Sequence, residues 1–167
     1  GPQCGIICGS HTWINRIATH PLMRALRVDK MTLAALAATL RLYRDPKEAI
    51  HAVPLLRLLN TPVENLRQRA EKLSTQLATL PAIATATPVD DISFLGGGSL
   101  PNQQLATVCV ALVPASGKVN QTAAALRAAD PAVFGRVHNN QLLLDLRTVS
   151  PSEDQKLLNA ASQLALG

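Results

Sequence analysis

Residues 105–113, with the sequence LATVCVALV, constrain the fold of this 167-residue chain more than any other segment. The run is rich in β-branched residues and apolar on both faces, so it predicts a central strand. Residues 133–138 and 141–147 flank Asn139 and Asn140, which tolerate the positive φ of a tight turn. This pattern predicts a hairpin beside the central strand.

Three helices are predicted around these strands. The motifs TPVE at 61–64 and SPSE at 150–153 have the form of capping boxes with proline at the first helical position. A third helix, over residues 119–129, is predicted to join the central strand to the hairpin. From about residue 80 onward we therefore expect a compact α+β sandwich, in which helices cover one small sheet. The residues expected on the buried sides of the capped helices are Leu66, Ala70, Leu73, Leu77, Leu157, Ala161 and Leu164.

The first 20 residues predict a strand and a short helix. The apolar run CGIIC at 4–8 is bounded by glycines, as in a buried strand, and residues 11–19 predict a helix. Cys4, Cys8 and His11 lack the spacing of a structural zinc site, so we interpret the two cysteines as buried thiols.

Composition narrows the class of partner. The net charge of +5 and the pI near 9.6 favour anionic ligands such as RNA, phosphate or a phosphorylated cofactor. Aromatic residues make up only 2%, which argues against stacking platforms for single-stranded nucleic acid. Three cysteines without framework spacing indicate a reducing compartment. Because no apolar run approaches membrane-spanning length, we expect a soluble cytoplasmic protein without membrane contact.

Arg24, Arg27 and Lys30 stand three residues apart in the segment HPLMRALRVDK. Residues at this spacing share a helix face, so Arg24 and Arg27 could converge on one anion with bidentate geometry. The alternative is a solvated basic turn that pairs with Asp29. The residues alone leave both interpretations open.

Two weaker candidates lie further along the chain. Residues 96–99 (GGGS) resemble a phosphate-cradling loop but lack its lysine and following helix, so a turn ahead of a strand is favoured. Arg136 is a candidate carboxylate or phosphate ligand, and the alternative is an ion pair with Asp145 across the hairpin.

The segment 20–43 (HPLMRALRVDKMTLAALAATLRLY) resembles the signature segment of bacterial selenocysteine synthases, the L-seryl-tRNA(Sec) selenium transferases. Further matching motifs follow the order of that family and cover nearly the whole chain. They are GPQCGII at 1–7, LLRLL at 55–59, GGSLP at 97–101, FGRV at 134–137 and DLRTV at 145–149.

The resemblance implies a fold-type-I enzyme that depends on pyridoxal phosphate and assembles as a ring-shaped homo-oligomer. Such an enzyme converts seryl-tRNA(Sec) to selenocysteinyl-tRNA(Sec) with selenophosphate, through an aminoacrylyl intermediate on the cofactor. It further implies that residues 1–28 end the large cofactor domain and that residues 29–45 form a connecting helix, which Asp29 is predicted to cap. Residues 46–167 would then form the C-terminal small α/β domain.

The resemblance also suggests roles for single residues. Arg24 and Arg27 match paired arginines that hold the anionic group of the selenium donor, and Gln3 falls in a strand near the cofactor. The Schiff-base lysine is expected just upstream of Gly1, so this fragment alone should be inactive. Two alternatives are a related pyridoxal-phosphate lyase or transferase acting on a small phosphorylated amino compound, and a non-catalytic anion- or RNA-binding module.

Overall fold

The computed structural model describes residues 1–94 and 103–164, and the chain divides into two compact units, Gly1–Leu56 and Arg57–Gly167. The boundary falls inside a short helix. None of the helices in the described ranges is long and apolar enough to cross a membrane.

The first unit is helical. Its elements are α1 (His11–Ala18), α2 (Met23–Leu26), α3 (Lys30–Leu42), α4 (Pro46–Ala52) and the start of α5 (Pro54–Leu59).

Aspartates cap two of these helices. Asp29 precedes α3 and accepts hydrogen bonds from the Thr32 backbone N–H at 2.8 Å and from the Thr32 hydroxyl at 3.1 Å. Asp45 precedes α4 and accepts from the backbone N–H groups of Lys47 and Glu48. Each carboxylate satisfies amides that a helix start leaves without partners. The predicted cap at Asp29 is confirmed.

The second unit is an α+β fold, as predicted. Its elements are α6 (Val63–Leu77), β1 (Ile83–Phe94), β2 (Gln104–Pro114), α7 (Val119–Ala128), β3 (Arg136–His138), β4 (Gln141–Asp145) and α8 (Asp154–Ser162), with 3₁₀ turns at Leu146–Thr148 and Pro151–Glu153.

The four strands form one antiparallel sheet in the order β1-β2-β4-β3. The predicted central strand is confirmed, since β2 pairs with β1 on one side and β4 on the other. The hairpin is confirmed as well. Asn139 and Asn140 have φ of 46° and 58° between β3 and β4, as a tight two-residue turn requires.

Helices α6, α7 and α8 cover one face of the sheet. Alternate residues of β2 and β4 enter this core, in which Val108, Val110 and Leu142 are fully buried. The predicted buried side of α6 is confirmed at Leu66, Ala70, Leu73 and Leu77. On α8, the prediction is confirmed at Leu157 and Ala161, while Leu164 is half-buried beyond the end of the helix.

The predicted strand over residues 4–8 is wrong. The structure describes every residue of this segment and assigns it no regular structure, and Ile6 and Ile7 are each 67% exposed. Cys8 is exposed and Cys4 is half-buried, so the interpretation of both as buried thiols is also wrong. The apolar run has no neighbouring strand to bury it.

The two predicted capping boxes are wrong in detail. Helix α6 begins at Val63 with Pro62 as its N-cap, one residue later than predicted, and the Thr61 hydroxyl donates to the Arg57 carbonyl oxygen instead of capping the helix. Residues Pro151–Glu153 form a 3₁₀ turn, and α8 begins only at Asp154. Helices α4 and α5 and strand β1 were not predicted, and the GGGS sequence at 96–99 lies outside the described residues.

Candidate anion-binding site

Arg24 and Arg27 lie on and directly after the short helix α2. Arg27 is the C-cap residue of α2: its backbone N–H donates to the Met23 carbonyl oxygen at 2.9 Å, while its ψ of 136° leads the chain out of the helix. Both arginines are exposed. The prediction that Arg24 and Arg27 converge on one anion stays a prediction.

Neither guanidinium group is neutralised within the described residues, where Arg24 and Arg27 form no ion pair. The nearest carboxylate in sequence, Asp29, caps α3 through Thr32, and the backbone and side-chain hydrogen bonds from Thr32 lower the pKa of the Asp29 carboxyl. The pairing with Asp29 is therefore absent among the described residues, while both arginines are exposed, as in a solvated basic turn. The anion-binding role of the pair stays a prediction.

The charge around this turn is strongly one-sided. The first unit holds seven Lys and Arg residues but three Asp and Glu residues, so it carries four of the five net positive charges of the chain. All residues of this unit are described, and no ion pair forms among them. Ion pairs occur in the second unit, at Arg67–Asp90, Arg69–Asp154, Arg136–Asp91 and Lys156–Glu153.

A groove of about 390 Å³ lies between α1 and α2 in the same unit. The guanidinium of Arg16 stacks over the Trp13 ring, 4.9 Å from its centroid, and Trp13 is 61% exposed. The sequence reasoning missed this feature, although the spacing of a tryptophan and an arginine three residues apart on a predicted helix was visible. The residues that line the groove are Trp13, Arg16, Ile17, His20, Leu22, Met23 and Leu26.

Arg136 lies in the second unit, on the edge strand β3, and its side chain forms an ion pair with Asp91 on the opposite edge strand β1. Asp145, the predicted partner, forms no ion pair with Arg136. In the register of the hairpin Arg136 lies opposite Leu143, so the guanidinium extends across the face of the sheet to β1. Arg136 thus has a carboxylate partner already, unlike Arg24 and Arg27.

The ion pair covers a thiol on the sheet face that lies opposite the helices. The thiol of Cys109 donates a hydrogen bond to the Asp91 carboxylate at 3.5 Å. Burial, together with the nearby Asp145 and Asp91 carboxylates, raises the pKa of Cys109 to about 12. Burial acts to raise the pKa of Asp91, but hydrogen bonds from Ile92 and Cys109 and the charge of Arg136 outweigh it and lower that pKa. Cys109 therefore stays a neutral thiol and is not a nucleophile.

Arg147 shows a contrasting use of arginine. Its side chain is 4% exposed and donates to the carbonyl oxygens of Leu58, Leu59, Thr61 and Ala106 at 2.6–3.1 Å. Burial lowers the pKa of this guanidinium, and the nearby Asp145 carboxylate partly offsets the effect. The hydrogen bonds of Arg147 thus connect the segment before α6 with strand β2.

The residues of the chain do not by themselves build a site for pyridoxal phosphate, the cofactor that the resemblance implies. Gln3 is exposed, and its side-chain amide makes no hydrogen bond within the described residues. A lysine that forms an imine must lose its proton, which a buried site favours. All five lysines are exposed instead, at Lys30, Lys47, Lys72, Lys118 and Lys156. In the described ranges, no group of His, Cys, Asp or Glu is arranged to hold a metal ion either.

The chain is thus an α+β protein whose helical first unit carries most of the net positive charge. The family model described as L-seryl-tRNA selenium transferase matches residues 1–150. The chain belongs to this family.

Individual relatives agree with the family match. Over 166 residues the chain is 41% identical to the L-seryl-tRNA(Sec) selenium transferase of Hyphomonas neptunium. The alignment covers 99% of the chain and 36% of the relative. It is 44% identical over 168 residues to the enzymes of that name from Nitratidesulfovibrio vulgaris and Moorella thermoacetica, covering 100% of the chain and 36% of each relative. The chain thus spans about a third of the length of these relatives.

Proposed function

We propose that the chain forms the C-terminal part of an L-seryl-tRNA(Sec) selenium transferase. The intact protein converts seryl-tRNA(Sec) to selenocysteinyl-tRNA(Sec) with selenophosphate, as a cytoplasmic homo-oligomeric ring. The similarity over the whole chain to relatives of that name carries this proposal. In this assignment, residues 1–28 complete a fold-type-I cofactor domain, residues 29–45 connect, and residues 46–167 form the small domain.

Arg24 and Arg27 bind the phosphate group of the selenium donor. Each guanidinium group can donate two hydrogen bonds to a tetrahedral oxyanion, and neither has a carboxylate partner within the described residues. Their role is to hold and orient the donor. In the intact protein, a bound pyridoxal phosphate would supply an electron sink for loss of the seryl hydroxyl group.

Arg136 is proposed as a second and weaker ligand for a substrate anion. To bind a substrate anion it has to exchange Asp91 for that anion. Gln3 is proposed to lie near the cofactor in the intact protein. Both assignments follow the resemblance of the motifs FGRV and GPQCGII to the family.

The test is selenium transfer by the intact protein with seryl-tRNA(Sec) and selenophosphate. We expect Arg24→Ala with Arg27→Ala to lower kcat/KM for selenophosphate by about 100-fold, because two charge-assisted hydrogen-bonding groups are lost. Pyridoxal-phosphate absorbance should stay unchanged. The control is Arg41→Ala with Arg44→Ala, an exposed pair of the same spacing in the same unit.

Two results would contradict the proposal. An intact parent protein that transfers no selenium to seryl-tRNA(Sec) would refute the assigned activity. If the parent is active and the Arg24/Arg27 double variant has the same kcat/KM as the Arg41/Arg44 control, the role of the arginine pair is refuted.

A further inference from the structure

The short segment between α2 and α3 sets the position of one member of the arginine pair. Arg24 lies inside α2, so the hydrogen bonds of that helix fix its backbone. Arg27 lies at the end of α2. Its N–H still donates to the Met23 carbonyl oxygen, but its ψ of 136° leads the chain out of the helix. Only Arg27, Val28 and Asp29 separate α2 from α3, so the position of Arg27 depends on what holds this linker.

Asp29 fixes the end of the linker that follows Arg27. Its Oδ1 accepts from the Thr32 backbone N–H at 2.8 Å, and its second carboxylate oxygen accepts from the Thr32 hydroxyl at 3.1 Å. Its carbonyl oxygen accepts from the Leu33 N–H at 3.1 Å. Val28 is 40% exposed, so burial does little to hold the linker. Among the described residues, the side-chain contacts that hold the linker are those of Asp29 with Thr32.

The contact of Asp29 with Thr32 is more complete than the other aspartate cap of the same unit. Asp45 accepts from two backbone N–H groups of α4 through Oδ1 alone, at 2.9 and 3.4 Å, and its Oδ2 makes no hydrogen bond within the described residues. At Asp29 both oxygens accept a hydrogen bond, and these bonds lower the pKa of the carboxyl. The Asp29 side chain is therefore ionised at neutral pH and turned toward α3.

This arrangement has two consequences for an anion bound by Arg27. An arginine on an extended linker can take up many positions, and fixing the linker removes part of that freedom before the anion binds. The carboxylate of Asp29 is also the nearest one to Arg27 in sequence. Because Thr32 engages both of its oxygens, Asp29 does not compete with the anion for the Arg27 guanidinium.

We propose that Asp29 is a positioning residue for the selenium donor, which acts by holding the backbone of Arg27 in place through its two hydrogen bonds to Thr32. The proposal rests on the proposed function for the role of Arg24 and Arg27. It adds a residue that acts on the donor through Arg27, without contact of its own, to the two that hold the phosphate group.

The test is steady-state selenium transfer by the intact protein with seryl-tRNA(Sec) and selenophosphate. Asp29→Ala should raise KM for selenophosphate by about tenfold and leave kcat within about twofold of the parent, because binding of the donor is weakened. Asp29→Asn should restore KM to within about threefold of the parent, since asparagine caps helices as well as aspartate and its amide oxygen accepts the Thr32 N–H.

Asp45→Ala is the matched control. Asp45 caps α4 in the same unit and directly follows Arg44, just as Asp29 follows Arg27 after one residue. Removal of this cap should leave KM for selenophosphate unchanged. A general loss of helix structure would instead raise KM in both variants.

A double variant shows whether Asp29 acts through Arg27. In an Arg27→Ala background, Asp29→Ala should raise KM for selenophosphate no further, because the guanidinium group that it positions is gone. Thr32→Val keeps the backbone N–H and removes the hydroxyl, so it should raise KM by about threefold. This milder variant keeps the inference testable if Asp29→Ala does not fold.

Three outcomes would overturn the inference. If Arg27→Ala raises KM for selenophosphate but Asp29→Ala and Thr32→Val do not, Asp29 is a helix cap only and the proposed function stands. If Asp29→Ala raises KM equally in the parent and in the Arg27→Ala background, it does not act through Arg27. A parent that transfers no selenium to seryl-tRNA(Sec) refutes the proposed function and this inference together.

Discussion

The two units of this chain use arginine in opposite ways. In the second unit, Arg147 is buried and donates to four backbone carbonyl oxygens, and Arg69 pairs with Asp154 while donating to two further carbonyls. In the first unit, Arg24 and Arg27 are exposed without an ion-pair partner among the described residues. Arg147 and Arg69 stabilise the fold through these contacts, whereas Arg24 and Arg27 make no such contact among the described residues.

The largest expected effect on stability is at Arg147. Arg147→Met should lower the free energy of unfolding by about 3 kcal/mol or more, because four carbonyl oxygens lose their donor in a buried site. Urea unfolding followed by circular dichroism measures the change. The control is Arg127→Met on α7, where the exposed side chain makes no hydrogen bond within the described residues and a change below about 0.5 kcal/mol is expected. Equal losses at Arg147 and Arg127 would show that the carbonyl contacts of Arg147 do not stabilise the fold.

An intermediate effect is expected from alkaline titration of Cys109. The unfolded thiol loses its proton near its ordinary pKa of 9.0, whereas the folded thiol, with a pKa of about 12, keeps it. Stability is therefore fully present below pH 9 and falls between pH 9 and 12, by about 1 kcal/mol over the first unit of pH. Unfolding free energies at pH 7, 9 and 10 should show this loss.

Cys109→Ala should remove that loss from the pH profile, and Cys8→Ala, at an exposed cysteine, should keep it. If both variants show the parent's slope, the buried thiol is not the source of the alkaline sensitivity.

The smallest of these effects on stability is expected at Arg136. Its side chain is exposed, like those of Arg24 and Arg27, but it forms an ion pair with Asp91. Arg136→Gln should cost between 0 and about 1 kcal/mol at pH 7. The pKa of Asp91 is lowered from its ordinary 3.8, so the contribution of the pair is present above that value and disappears as the pH falls below it. Unfolding at pH 7 and pH 3 checks this, and a difference between parent and variant that grows at pH 3 would contradict it.

The sheet was predictable where burial or turn residues left a pattern in the sequence. Strand β2 is apolar on both faces because it lies in the middle of the sheet, and the predicted strand matches it. Strand β1 was missed since it is an edge strand, which tolerates Pro88 opposite Val110 and carries Asp90 and Asp91. Local composition does not distinguish such a strand from a loop.

The arginine contacts depended on long-range geometry. Asp145 was the predicted partner of Arg136 because only the hairpin was known, and the observed partner Asp91 belongs to the strand that was missed. Arg147 attracted no structural prediction, although an arginine directly after the leucine-rich run 142–146 is an unusual signal. In contrast, the prediction that Arg24 and Arg27 share one side of a turn uses only local spacing, and it stays a prediction.

In the proposed function Arg24 and Arg27 serve a ligand and not the fold. This is tested by urea unfolding of the intact protein with both residues changed to alanine. We expect a free energy of unfolding within about 0.5 kcal/mol of the parent, because two exposed cations without partners among the described residues contribute little to stability. A loss comparable to that of Arg147→Met would show instead that the pair supports the fold.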